Sequence, residues 1–214
     1  MKESTSREKV LKKVRNALIS ETDNPYPDID FESSVYTDIT EPLDITFAQE
    51  LTKASGKFVF CENEKEFVDN LLVLVSDNNW SNVFCLEDKI KNIFIKEEIP
   101  FCSKEEEFSK VEVGVTLCEY LIARLGSIMV SSKQVSGRRL IIYPPVHVIL
   151  AYTSQLVPDL KQALIGISEK YESDLPSMIS VITGPSRTAD IEKTLVMGAH
   201  GPKEIYVFLI DDSQ

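Results

Sequence analysis

The sequence predicts an α/β fold: a Rossmann-like, mostly parallel sheet flanked by helices, with an antiparallel portion in its second half. From Leu43 onward, short strand-like runs alternate with segments of helical periodicity, the pattern of parallel strands joined through helical crossovers. The strand-like runs are apolar, as strands of a sheet covered on both faces are. After Val111 the runs follow one another with little between them, which suits strands that turn back directly.

Taken in order, residues 5–19 read as an amphipathic helix, because Val10, Val14 and Leu18 recur at four-residue steps while Lys and Arg fill the other faces. A short helix with one apolar stripe is marginal by itself, so an N-terminal arm of residues 1–20 is expected to dock on its own body or on another chain. Residues 21–42 read as an acidic, extended linker containing Pro25 and Pro27. The α/β domain is then expected over residues 43–214. Its first half alternates: a helix over Phe47–Ala54, a strand over Lys57–Cys61, a helix over Glu64–Ser76, a strand over Asn82–Leu86 and a helix over Asp88–Lys96. Next, Glu112–Val115 and Ser127–Ser131 read as strands bracketing a short helix, and Arg139–Tyr143 and Val146–Tyr152 as antiparallel strands joined directly. Pro158 is expected to open a helix running to about Tyr171, since Pro is well tolerated at the first helical position. A buried strand over Met178–Ile182, a helix patterned by Ile191, Leu195 and Val196, and a strand over Glu204–Ile210 complete the domain.

A chain of 214 residues can bury one sizeable core, which suits one domain with an appendage. Its formal net charge of -11 speaks against nucleic acid and anionic membrane surfaces, both of which need basic patches. No apolar run approaches a membrane span and Met1–Lys13 is too polar for a signal peptide, so a cytoplasmic location is expected. The four cysteines, Cys61, Cys85, Cys102 and Cys118, are widely spaced, whereas iron–sulfur and structural zinc sites usually show clustered thiolates. Neither metal is expected on this chain, and buried free thiols are the expected state of most of the four. Of eight glycines only Gly56 precedes Gly114, so positions needing unusual torsions gather in the second half. The arginines outside the arm, Arg124, Arg138, Arg139 and Arg187, gather there too, where the turns are.

Chemistry is concentrated in Thr183-Gly184-Pro185-Ser186-Arg187-Thr188-Ala189-Asp190-Ile191-Glu192, placed between the end of a strand and the start of a helix. A helix N-terminus has unpaired N–H groups and a dipole that favours negative charge, so the loop is suited to an anion. Arg187 adds a planar, charged fork matched to carboxylate or phosphate, and Asp190, four residues past Ser186, could orient it. The competing reading is an ordinary turn with a Ser or Thr cap, its acids complementing the dipole. Candidate ligand-binding residues are Thr116, His147, Gly184, Ser186, Arg187, Thr188 and Asp190. Thr116 is expected to enter a helix after a strand, repeating the same geometry. His147, aimed by the rigid Pro144-Pro145 lead-in, is the candidate general acid or base. Crevices outside the carboxyl ends of strands are the default binding places in such a sheet.

That loop, followed by Gly198-Ala199-His200-Gly201-Pro202, closely resembles the lactate-utilization protein C family, whose module is called the LUD domain. Tyr143-Pro144-Pro145-Val146-His147 and Gly114-Val115-Thr116 match the same family, and the resemblance covers roughly residues 45–210. It implies a fold similar to the sugar-isomerase and CoA-transferase superfamily, with a Rossmann-like parallel core and an inserted antiparallel portion. CoA-transferring members of that superfamily use a glutamate nucleophile near a Gly-rich turn, and LUD sequences commonly read Ala-Glu-Thr-Gly there. Here the segment is Ala123-Arg124-Leu125-Gly126, so the acid is absent. The resemblance implies a non-redox component or accessory of a bacterial L-lactate utilization system, partnered by iron–sulfur proteins that oxidise lactate to pyruvate. The alternative is an autonomous enzyme or sensor acting on a small carboxylate or phosphate ester.

Overall fold

The computed structural model describes residues 5–19, 25–26, 28–30, 36–191 and 194–212, with the backbone alone for 189–191 and 194–196. The chain divides into two compact units, Met1–Asp38 and Ile39–Gln214. In the first, α1 (Ser6–Ile19) opens at a capping box: the Glu8 N–H donates to Thr5 Oγ1 at 3.3 Å, and the Glu8 carboxylate accepts the Thr5 N–H at 2.8 Å. Residues 21–24, 27 and 31–35 of the expected linker lie outside the described residues.

The second unit carries, in chain order, α2 (Leu43–Lys53), β1 (Lys57–Cys61), α3 (Glu64–Asp77), β2 (Val83–Cys85), α4 (Asp88–Lys96), β3 (Val113–Leu117), β4 (Tyr120–Ile122) and β5 (Ser127–Ser131). It continues with β6 (Val146–Tyr152), β7 (Leu156–Val157), α5 (Leu160–Tyr171), β8 (Ile179–Ile182), β9 (Arg187–Ile191), β10 (Thr194–Met197) and β11 (Glu204–Ile210). Five strands form a wholly parallel sheet in the order β1-β11-β6-β3-β2.

The central strands are largely apolar because both faces are covered, with Thr116 and His147 as buried polar exceptions. On β6, Val146, Val148 and Leu150 enter one cluster with Phe67 and Leu71 of α3 and Ile90 and Phe94 of α4. Ile149 and Ala151, alternating with them, enter another with Phe47 and Leu51 of α2 and with Leu121, Ile128 and Val130. Phe67 meets Phe208 of β11 edge to face at 5.2 Å; each such fully buried ring contributes about 2–3 kcal/mol of transfer free energy. The antiparallel portion is a second sheet, β7-β4-β5-β8, antiparallel but for the β4–β7 pair. Ala163 and Ile167 of α5 pack against Ile122 and Met129 on its far side.

Two left-handed glycines seat α2. Gly126 (φ 57°) ends the 3₁₀ turn Ala123–Leu125, and a Cβ there would collide with the backbone of Leu51. Gly184 (φ 71°) presses on the Ala54 carbonyl, where a Cβ has no room either.

Several expectations are corrected. No short helix lies between β3 and β5: Tyr120, Leu121 and Ile122 pair with β5, leaving only the 3₁₀ turn, so Thr116 sits inside β3 rather than at a helix start. Arg139–Tyr143 is a series of turns, with Ile142 and Tyr143 N–H both donating to the Arg139 carbonyl, and Pro144 and Pro145 lack the N–H a strand partner needs. The following β6 therefore joins the parallel sheet instead of forming an antiparallel pair. Asp159, not Pro158, starts α5, its carboxylate accepting the Lys161 N–H at 2.9 Å. Strand β8 is half-exposed because it forms an edge of the second sheet. The expected motif helix is an antiparallel hairpin, β9 and β10, in keeping with the β-branched Thr188, Thr194 and Val196.

Candidate functional site

The parallel sheet brings two of the sequence-predicted residues together. On adjacent strands, Thr116 Oγ1 and His147 Nε2 lie 2.8 Å apart, and both residues are fully buried. His147 Nδ1 finds no partner among the described residues. Burial without a countercharge pushes the ring down to about 3, so it is neutral at physiological pH.

The Gly184 loop lies at the amino ends of β6 and β11, the end of β6 that also carries His147. The Ser186 N–H donates to the Pro202 carbonyl at 2.8 Å, the Gly198 N–H to the Ser186 carbonyl at 2.9 Å, and the Lys203 N–H to the Pro145 carbonyl at 2.8 Å. Two of the family-like strings thus meet, though not at the carboxyl-end crevice. A hairpin, not a helix, follows Ser186, so the loop does not open a helix N-terminus among the described residues. Arg187 Nη2 donates to the Ala54 carbonyl at 2.5 Å, a cation closing the C-terminal end of α2. The Asp190 side chain lies outside the described residues.

A second place is built from residues only partly singled out by sequence. Beside β2 lies a cavity of about 150 Å³ with Phe84, Leu86, Phe108 and Leu140 as its apolar wall. Ser103, Glu105, Ser136, Arg138 and Arg139 supply its polar side. Ser136 is only 4 % exposed and its hydroxyl has no partner among the described residues. Near it the carboxylate of Glu87, 5 % exposed, has the Ser136 hydroxyl and backbone N–H groups around it, none of them in full hydrogen-bond geometry. Burial raises the Glu87 carboxyl, and the neighbouring Ser136 hydroxyl and the backbone N–H groups of Glu87, Leu117 and Ser136 only partly oppose this. The Arg139 guanidinium lies over the Phe108 ring, 4.3 Å from its centre, and reaches Glu105 at 2.5 Å in an exposed ion pair. Arg138 donates to Ser177 Oγ at 2.9 Å. Sequence had marked the two arginines as anion-pairing groups in a turn. Ser136 and Glu87 were missed, although a hydroxyl two residues before paired arginines in Ser136-Gly137-Arg138-Arg139 is a usable signal.

Sequence reasoning also passed over Glu119, a lone acid in an otherwise apolar stretch. It is 3 % exposed and fully satisfied: Ser131 Oγ donates at 2.6 Å, Tyr171 Oη at 2.7 Å and Lys170 Nζ at 2.7 Å. Burial pushes its carboxyl up, but those three donors together outweigh it and hold it below the ordinary 4.5. Its contribution to stability is therefore present above pH 4.5 and lost as pH falls through the lowered value. Joined to β5 and α5 in this way, Glu119 is a structural tie.

Comparison with known proteins places these features in a family. The LUD domain matches residues 87–210. An uncharacterized protein of Neisseria meningitidis serogroup B is 33% identical over 163 residues, 75% of this chain and 69% of that one. Lactate utilization protein C of Macrococcus caseolyticus is 26% identical over 83% of this chain and 74% of its own length. Its counterpart in Geobacillus thermodenitrificans is 36% identical over 48% of this chain, a match spanning 44% of that protein. Among solved structures, a DUF162 family protein from Deinococcus radiodurans aligns with a TM-score of 0.58 at 14% identity, over 78% of this chain and 96% of that one, which shows the shared fold. The matched span runs from the buried Glu87 through the Ser136 turn, the Thr116–His147 pair and the Gly184 loop to the last strand, and the chain belongs to the LUD domain family.

Proposed function

We propose that this chain is a non-redox component or accessory of a bacterial L-lactate utilization system, in which lactate is oxidised to pyruvate, and that it binds a small anion. The likeness to lactate utilization protein C of Macrococcus caseolyticus over 83% of the chain carries this reading. In it, electron transfer belongs to iron–sulfur partner proteins. The burial of the cysteines supports that division: Cys61, Cys85 and Cys118 are core residues, and burial raises all three thiols, Cys61 to about 11 and Cys85 to about 12. A cluster ligand needs the thiolate, which such surroundings disfavour. A cytoplasmic location goes with the same reading; no helix among the described residues is long and apolar enough to cross a membrane.

The test is anaerobic affinity purification of the tagged chain from its host grown on lactate, with lactate oxidation assayed in the eluate. Recovery of iron–sulfur proteins together with activity is expected. A solitary, colourless protein sinks the component reading.

The second reading, an autonomous enzyme or sensor for a small carboxylate or phosphate ester, is favoured by the cavity beside Arg139. Turnover of such a compound by the isolated chain would select it. A carboxylate-nucleophile mechanism is disfavoured, because Arg124 stands where the family resemblance implies an acid.

A further inference from the structure

We propose that the β1 edge of the parallel sheet is an interface with a second copy of this chain, the two β1 strands pairing antiparallel about Val59 so that one sheet continues into the other. The two edges of that sheet are finished differently. At β2 a neighbouring segment covers the edge: the Cys85 N–H donates to the Cys102 carbonyl at 3.1 Å, and the Cys102 N–H to the Val83 carbonyl at 2.8 Å. At β1 nothing among the described residues does the same. The Asp211 N–H donates to the Cys61 carbonyl at 3.0 Å, so Lys57, Val59 and Cys61 turn their backbone groups toward β11. Phe58 and Phe60, alternating with them, turn theirs outward, and among the described residues those groups meet no backbone partner. A sheet edge left in this way is a template for another strand.

Apolar side chains flank this edge on both faces. Phe60 is 42% exposed, and on its face Phe58 lines a groove with Ala48, Thr52 and Lys53 of α2. On the other face Val59 lines a groove with Asn70, Val73 and Leu74 of α3, and Val73 is 59% exposed. Charge selects the occupant. Lys53 and Lys57 stand at the amino end of β1, while Glu62, Glu64 and Glu66 follow its carboxyl end with Lys65 the one base among them. A second β1 laid antiparallel sets each basic end against the acidic end of the other copy; laid parallel, it would oppose like charges. Centring the pair on Val59 brings Phe58 of each copy opposite Phe60 of the other, and these are the residues whose outward N–H and C=O groups can then be exchanged. The two rings become a cross-strand aromatic pair over the α2 groove. In the same register Glu62 of one copy reaches Gly56 of the other, at the end where Lys53 stands. Lys53 now pairs with Glu50 at the surface, its side chain 69% accessible, and a contact of that kind is readily exchanged for another.

The interface is tested on the purified full-length chain by sedimentation equilibrium over a range of concentrations. A monomer–dimer equilibrium is expected, and Phe60→Lys should weaken it at least tenfold or so by placing a charge on the paired edge. Val135→Lys, at an exposed apolar site in the turn before Ser136, should leave it unchanged. Lys53→Glu should weaken the dimer and Lys53→Glu with Glu62→Lys should restore it, a rescue that stays readable if Phe60→Lys folds poorly. Val59→Cys should cross-link to itself under oxidised glutathione, because facing residues that share no hydrogen bond have Cα atoms about 4.5 Å apart, within disulfide reach. A chain that stays monomeric, with or without a strand of another protein bound to it, overturns the proposal. So does a dimer indifferent to Phe60→Lys, a charge reversal that the second reversal fails to rescue, or a Val59→Cys dimer that does not cross-link.

Discussion

At His147, burial decides protonation. The ring is held neutral, pushed down to about 3, while the same residue in the unfolded chain titrates near 6.5. The unfolded state therefore binds more protons below pH 6.5, and folding stability must fall as pH falls through that range. Between pH 6.5 and 5 this costs about 2 kcal/mol, which His147→Gln should remove, as seen by urea unfolding at a series of pH values. The same neutrality bears on chemistry. A neutral, buried ring bonded to Thr116 is an unsuitable proton shuttle at pH 7; an activity profile with a midpoint near 6.5 that vanishes in His147→Gln would restore that role. Sequence put His147 and Thr116 on one short list, and they do touch. Their protonation and burial were not legible, because both depend on what packs over the strand.

Among the elements, α2 shows how a turn residue can govern a helix it does not belong to. Gly126 and Gly184, 58 positions apart in sequence, close on the backbone of the same helix at Leu51 and at Ala54, and Arg187 adds a donor to the latter carbonyl. Gly126→Ala meets both a left-handed φ and a backbone atom it cannot push aside, and should destabilise the protein by about 2–4 kcal/mol. Denaturant midpoints would register this; a loss below 1 kcal/mol or so would mean the turn relaxes away from α2. The clustering of glycines after Gly114 was visible in the sequence, but the object they press on was not. The hairpin β9–β10 teaches the complementary lesson. Apolar residues at Ile191, Leu195 and Val196 satisfy a helical spacing as well as an extended one, and pairing of the two segments decides for the strand.

On the scale of the whole second unit, the chain leaves the parallel sheet after β3 to build β4 and β5, returns for β6, leaves again for β7, α5 and β8, and comes back as β11. The two sheets share one apolar cluster, in which Ile149 and Val207 meet Leu121, Ile128 and Val130. Neither sheet can be released without exposing that cluster, so unfolding should be a single transition with coincident near- and far-ultraviolet circular dichroism curves. Separated curves would show that the second sheet melts on its own. What the sequence determined by itself is the alternation of elements and hence the parallel α/β class, because periodicity and apolar runs are local properties. It placed β1, α4, β5, β6 and β11 at the residues the structure shows. What only the tertiary structure decided is which residues face one another across long separations: Thr116 with His147, Ser136 with Glu87, Arg139 with Glu105, and Arg187 with the end of α2. Those pairings arise from sheet order and from the path of the turns over it, and no local pattern in the chain encodes them.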